Sequence, residues 1–275
     1  PLFVFLSAKL FGQVNQSTYV AASLIELLHT ATLVHDDVVD ESYERRGFFS
    51  LNALWKSKVA VLVGDYLLAK GLLAAVRHKE YHLLEIVSDA VREMSEGELL
   101  QIQKSRRNGI APEEYFEIIR KKTAALISSC TACGAYSAGA SEESVERMKQ
   151  FGEHAGIIFQ IKDDLLDYQK TGLTGKPTGN DIREGKYTLP LILALQHSPA
   201  GEAREIRRMM RRKDLKKKDV NKVIEFAGRY GGISQATEKM NEYIKTALLL
   251  LEDFPANEVR EALSDLLYFI ASREN

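Results

Sequence analysis

The chain has 275 residues, 37 Lys and Arg against 38 Asp and Glu, and 45% hydrophobic residues. That much apolar material can bury a large core in one domain or two, and it excludes wholesale disorder. The balanced charge gives no basis for nucleic-acid binding. Two cysteines cannot form a disulfide framework and point to a reducing compartment, and six prolines leave room for long uninterrupted helices.

The chain opens on Pro1, so it is expected to continue upstream, where any targeting signal would lie. The apolar run Leu2 to Leu6 is too short for a bilayer. The longest apolar stretch, Val59 to Val76, carries Asp65 and Lys70, whereas a span takes about 20 mostly apolar residues with few charges. A soluble, cytoplasmic protein is expected, with at most peripheral membrane contact.

Helical periodicity then runs through nearly every segment. From Tyr19 to Val39 apolar residues recur at spacings of three and four, with Ser17 a candidate cap. Lys58 to Val76 predicts a second helix, apolar enough to be buried on most sides. Tyr81 to Lys104 predicts a third. Pro112 suits the first position of a fourth, with Glu113 and Glu114 beside the positive end of its dipole, and this helix should run to Ala138. Ser141 can cap the next, which runs to Tyr168. Lys170 to Gly185 holds four glycines and a proline without apolar period and reads as a loop, long enough to be functional. Shorter helices follow at Leu189–His197, Glu202–Arg212, Val220–Arg229, Ser234–Glu252 and Pro255–Arg273. No strand pattern is bounded by turn signals, so β structure should be minor. No composition shift marks a boundary, and a single all-α domain over 1–275 is expected.

One short motif occurs twice. Asp-Asp-x-x-Asp stands as Asp36, Asp37 and Asp40 late on the first long helix, and as Asp163, Asp164 and Asp167 late on another. Residues four apart share a helix face, so each motif crowds carboxylates onto one patch, and like charges at that spacing repel. The flanks are apolar: Ala31 to Val34 before the first, Ile157 to Ile161 before the second. One such motif is well explained as a solvated acidic face. Two, each late on an apolar helix, ask for a compensating cation. The donors are all oxygens, which suits a hard ion such as Mg²⁺, held by a few carboxylates plus substrate phosphates. Basic residues stand near both motifs: Arg45 and Arg46, then Arg120, Lys121 and Lys122, and finally Lys176 and Lys186. Cations beyond metal-binding carboxylates are what a diphosphate requires.

At these residues the chain resembles the trans-isoprenyl diphosphate synthases, the polyprenyl synthase family. The matching phrases are His35 to Gly47, Gln160 to Asp167, Gly175-Lys176, Asp181, Lys186, Gly97-Glu98 with Gln101, and Lys122-Thr123. The likeness extends over essentially the whole chain. It implies an all-helical bundle around a deep central cavity, Mg²⁺ as cofactor, and a homodimer. Asp36, Asp37 and Asp40 would hold Mg²⁺ against an allylic diphosphate, as would Asp163 and, less directly, Asp164 and Asp167. Arg45, Lys122, Lys176 and Lys186 would grip that diphosphate. Arg46 and His29 would bind isopentenyl diphosphate, Asp181 would support the loop, and Thr123 and Gln160 would turn oxygens toward the developing carbocation. The family's Gly-Lys-Arg type segment, a further contact for isopentenyl diphosphate, would lie upstream of Pro1.

The implied reaction is chain elongation to a medium or long trans-polyprenyl diphosphate. In the resembling family, bulky aromatics four or five residues before the first aspartate stop growth at short products. Thr32 and Ala31 occupy those positions and are small, with Leu28 one turn lower, so a deep tunnel is expected. A short-chain synthase is the alternative. A terpene cyclase usually carries an Asn/Ser/Glu type second motif, a non-catalytic subunit of a heteromeric synthase tends to lose an acidic motif, and a structural metal bundle would not need the basic set. Cys130 and Cys133 lie mid-helix among small residues and read as packing. The basic run Arg204 to Lys218 is interleaved with Glu205 and Asp214 and reads as a solvated face. His35 reads as structural.

Overall fold

The computed structural model describes residues 1–39, 44–45, 48–49, 51–105, 109–169, 179–212 and 214–274, with backbone alone at 44–45, 48–49, 51–52, 55–56 and 105. Helices dominate, as the periodicity predicts. The only β structure among the described residues is one antiparallel pair, β1 (Glu44–Arg45) and β2 (Phe48–Phe49), with Glu44 opposite Phe49. The chain divides into two compact units: Pro1–Ala90 with Ser129–Lys149, and Val91–Ser128 with Gln150–Asn275.

The first unit contains α1 (Leu2–Phe11), α2 (Gln16–Val39) and α3 (Leu51–Arg77), with the start of α4 (Tyr81–Ser105), most of α6 (Ala125–Ser137) and the start of α7 (Glu142–Asp167). The apolar run Leu2 to Leu6, too short to show a period, folds as α1 because its neighbours bury it. Val4 and Ala8 are fully buried, Phe5 meets Tyr19 edge-on at 5.4 Å, and Gly134 of α6 comes so close that a Cβ there would lie 2.3 Å from the Val4 carbonyl oxygen.

The cap of α2 is Asn15, not Ser17, which lies inside the helix. The Thr18 N–H donates to Asn15 Oδ1 at 3.1 Å, and the Asn15 N–H donates back to Thr18 Oγ1 at 3.3 Å. The Asn15 amide also donates to the Ser137 carbonyl at 2.7 Å. One side chain thus satisfies an orphan donor at the start of α2 and an orphan acceptor at the end of α6. At α7 the expected cap is found: the Ser144 N–H donates to Ser141 Oγ.

Helix α3 departs from the expectation of burial on most sides. It buries Ala60, Gly64, Gly71 and Ala75, spaced so that small residues form one stripe. A Cβ on Gly64 would stand 2.2 Å from His35 Nε2, and one on Gly71 would stand 3.3 Å from Leu24 Cδ1, so this stripe faces α2. His35 crosses the same contact to the Val61 carbonyl at 3.2 Å and to Asp65 at 3.4 Å, the structural role read for it. The bulky side chains of α3 are left outside: Leu62 is 66% exposed, Tyr66 60% and Leu73 42%. By length and composition, residues Ser57–Arg77 and α2 are each long and apolar enough to cross a membrane, despite Asp65 and Lys70; α2 is half buried within the protein.

The second unit is built around α9 (Leu189–His197), which matches its predicted bounds. Every residue from Leu189 to Leu195 is buried, beneath α5 (Pro112–Ile119), α11 (Lys217–Arg229) and α12 (Gly232–Glu252). Gly232 lets α12 reach the start of α9: a Cβ there would overlap the Pro190 carbonyl at 1.9 Å. Helices α10 (Ala200–Met210) and α13 (Glu258–Ser272) complete the unit, α13 capped by Asn257. The predicted loop contains a one-turn helix, α8 (Asn180–Arg183), which starts at Gly179 with φ +78°. The helix predicted from Pro112 to Ala138 is interrupted by a π-helical turn at Arg120–Ala124, between α5 and α6.

Candidate active site

The second acidic motif ends α7, and its three carboxylates meet three different fates. Asp164 is buried, 2% exposed. Its Oδ2 accepts from the Tyr115 hydroxyl at 2.6 Å and from the Leu189 N–H at 3.0 Å, and its Oδ1 accepts from Gln160 Nε2 at 3.1 Å. Burial pushes its carboxyl up to about 7, against the three donors, which pull it down. Asp167 turns toward the loop. Its two oxygens accept the N–H groups of Asn180 at 2.8 Å and Asp181 at 3.1 Å, the orphan donors at the start of α8. Burial, with Asp181 close by, holds its carboxyl above the usual range. Asp163 is the open one, 42% exposed, and pairs with Arg273 at 2.5 Å. The Arg273 guanidinium also donates to the Phe159 carbonyl at 3.2 Å and lies 4.0 Å over the Phe159 ring.

The π-helical turn holds the second group of predicted residues. A π turn inserts one residue per turn and redirects the side chains that follow, and such turns recur at functional sites. Two glycines let neighbouring helices press against it. A Cβ on Gly97 of α4 would lie 2.7 Å from the Lys122 nitrogen, and one on Gly156 of α7 would lie 2.4 Å from Ala124 Cα. Lys122 pairs with Glu98 and donates to Gln101 Oε1 at 3.1 Å. Thr123 Oγ1 donates to Gln160 Oε1 at 3.0 Å.

Lys122, Thr123, Gln160, Asp164, Asp181 and Lys186 line one cavity of about 980 Å³, with Ile118 and Ile119 on its apolar side and Arg211 and Arg212 also in its wall. Asp163 and Asp167 do not line it. Lys186 bonds to Asp181 at 3.5 Å and to Glu184 at 2.6 Å. Burial alone would lower its affinity for a proton, but these acids outweigh it and hold the pKa raised, so the group stays cationic.

In the first unit, α2 carries His29, Asp36 and Asp37 with Leu28, Ala31 and Thr32. His29 and Asp36 are half-buried and Asp37 is 5% exposed. Leu28 and Ala31 are buried, and the Thr32 hydroxyl donates back to the His29 carbonyl at 2.8 Å. Asp40, Arg46, Gly175 and Lys176 lie outside the described residues, and Arg45 is described by its backbone alone.

Two site residues and the π turn escaped the sequence reading. Tyr115 and Arg273 show no signal in the sequence, because each acts across a fold contact with an aspartate far along the chain. The π turn left a faint trace in Gly97 and Gly156, glycines inside otherwise strong helices. The cysteines match their plain reading: both are buried, and burial pushes the Cys130 thiol up to about 12. In the basic run, Arg212 pairs with Asp219, and Lys222 of α11 pairs with Glu205.

The donor set of both motifs is all oxygen, the chemistry of a hard divalent cation. Among the described residues no three His, Cys, Asp or Glu side chains form a ready-made metal cage. Asp163 already accommodates a positive charge, the Arg273 guanidinium.

Residues 1–227 match the model of the Polyprenyl synthetase family. The chain is 34% identical over 275 residues to the octaprenyl diphosphate synthase of Escherichia coli, covering 100% of this chain and 85% of that protein. It is 38% identical over 268 residues to the all-trans-nonaprenyl-diphosphate synthase (geranyl-diphosphate specific) of Rhodobacter capsulatus, covering 97% and 82%. Among solved structures, a polyprenyl synthase of Caulobacter crescentus complexed with calcium and isoprenyl diphosphate matches with a TM-score of 0.91 at 38% identity, covering 100% of this chain and 84% of that one. With both acidic motifs, an all-α fold and these likenesses over its whole length, the chain belongs to the polyprenyl synthetase family of trans-isoprenyl diphosphate synthases.

Proposed function

We propose that this enzyme joins isopentenyl diphosphate to an allylic diphosphate with Mg²⁺, repeating the addition to a medium or long product of about hexaprenyl to nonaprenyl length. The observation that carries the reading is the cavity where Lys122, Thr123, Gln160 and Lys186 converge beside Ile118 and Ile119. A cavity with fixed cations, neutral oxygens and an apolar side has what an ionising allylic diphosphate needs.

In this reading the allylic C–O bond breaks to give a delocalised carbocation and diphosphate. The isopentenyl double bond attacks the cation, a new C–C bond forms, and a proton leaves to the released diphosphate. Lys122 and Lys186, with Arg45 and Lys176, grip the departing diphosphate and stabilise its growing charge. Thr123 and Gln160 turn oxygen dipoles toward the cation, and the apolar side excludes the water that would quench it. His29 and Arg46 take the diphosphate of isopentenyl diphosphate. Asp36, Asp37 and Asp40 would hold Mg²⁺, as would Asp163 and, less directly, Asp164 and Asp167. Bound Mg²⁺ supplies Lewis acidity that makes diphosphate a better leaving group.

The active form in this proposal is a cytoplasmic homodimer. What supports the dimer is the apolar face of α3, where Val59, Leu62, Tyr66 and Leu73 are exposed on one helix. Such a contiguous patch marks an interaction surface.

Incubation with labelled isopentenyl diphosphate, farnesyl diphosphate and Mg²⁺ should give an organic-extractable product, lost when EDTA is added. No lipid from both substrates would defeat the reading, and product from farnesyl diphosphate alone would favour a cyclase. Ala31→Phe should shorten the product by one or more isoprenyl units in mass spectrometry, whereas an unchanged length would remove Ala31 from the tunnel. In light scattering the wild type should run as a dimer and Leu62→Glu as a monomer. A wild-type monomer would point to a heteromeric assembly or none.

A further inference from the structure

The family reading places Asp164 with the metal, yet its surroundings are those of an anchor. Both oxygens are engaged, by donors on three elements: Tyr115 from α5, Gln160 from its own helix one turn back, and the backbone of Leu189 at the start of α9. Little of it reaches solvent, 2% of its surface. Asp163, its neighbour in sequence, is turned outward.

What this anchoring fixes is an orientation. A side-chain amide has an oxygen end and an NH₂ end that fit the same space, and only the partners decide between them. Here Asp164 Oδ1 accepts from the NH₂ end of Gln160 at 3.1 Å, while its other oxygen is taken by Tyr115 and Leu189. The amide oxygen is thereby sent the opposite way, where it accepts from Thr123 Oγ1 at 3.0 Å. Gln160 and Thr123 are cavity-lining groups, and which end of the amide is offered there sets the sign of the dipole that a nearby cation meets.

We infer that Tyr115 and Asp164 are positioning residues: they pin the Gln160 amide with its oxygen toward Thr123 and the cavity, and so set the electrostatics at the site of carbocation formation. Tyr115 and Leu189 hold the carboxylate, the carboxylate holds Gln160, and Gln160 holds the Thr123 hydroxyl. The chain of contacts lies wholly within the second unit. This inference rests on the prenyl-transfer reading and adds to it a role for a buried aspartate distinct from metal binding.

Asp164→Asn tests the orientation with little change of shape. If the Asn oxygen keeps Tyr115 and Leu189, its NH₂ faces Gln160 and favours the flipped amide, which turns NH₂ toward Thr123. The expected result is a fall in kcat of about 10- to 100-fold, with the KM for isopentenyl diphosphate and the Mg²⁺ concentration for half-maximal rate unchanged. Tyr115→Phe should lower kcat less, because two donors to Asp164 remain. In the background of Gln160→Ala, Asp164→Asn should lower kcat no further, since its effect passes through Gln160. Mn²⁺ binding to the free enzyme, read by electron paramagnetic resonance, should be the same with and without Asp164→Asn. A raised Mg²⁺ requirement, weakened Mn²⁺ binding, or a full additional loss in the Gln160→Ala background would overturn the positioning role. A wild type that forms no lipid product would overturn the prenyl-transfer reading beneath it.

Discussion

Three carboxylates within five residues at the end of α7 are the constraint from which the rest of the site follows. On an isolated helix the Asp163 and Asp167 repulsion would cost only about 0.2–0.5 kcal/mol. The larger demand comes from burial, since an ionised carboxylate taken out of water without partners costs several kcal/mol. The fold meets that demand separately for each. Asp164 receives three donors, Asp167 receives the N–H groups at the start of α8, and Asp163 stays 42% exposed and pairs with the Arg273 guanidinium. Holding two of them with neutral donors leaves the third partly exposed.

The same contacts shape the neighbouring loop. Because Asp167 binds the start of α8, the chain returns at Gly179, whose N–H donates to the Asp167 carbonyl at 3.0 Å. Asp181 then lies where it can pair with Lys186. Close helix approach does comparable work around Lys122 and Thr123. Without a side chain at Gly97 and Gly156, α4 and α7 press against the π turn, and Glu98 and Gln101 come within reach of Lys122. An added methyl at either glycine would push a helix away from the groups it positions.

The motifs were legible because they are local. Two Asp-Asp-x-x-Asp runs late on apolar helices, the Lys122-Thr123 pair and the Pro112 and Ser141 helix starts can all be read within a few residues. Helix α9 was equally plain, being apolar throughout and opened by Leu189-Pro190. Contacts between distant segments were not legible. Tyr115 acquires its role only when α5 folds against α7, and Arg273 only when α13 does the same for Asp163. The exposure of α3 was misread for a related reason: its apolar content suggested burial, but only its small residues pack against α2, and composition does not record which side a helix turns to its neighbour. Asn15 took the cap from Ser17 because it could also reach Ser137.

The central claim is that Asp163, of these three, is the carboxylate that meets a cation directly. Calorimetric titration of inorganic diphosphate into the protein, with and without Mg²⁺, tests it most directly. Asp163→Asn should abolish the Mg²⁺-dependent part of the binding, while Asp167→Asn should retain it. Equal and complete loss in both would contradict the account.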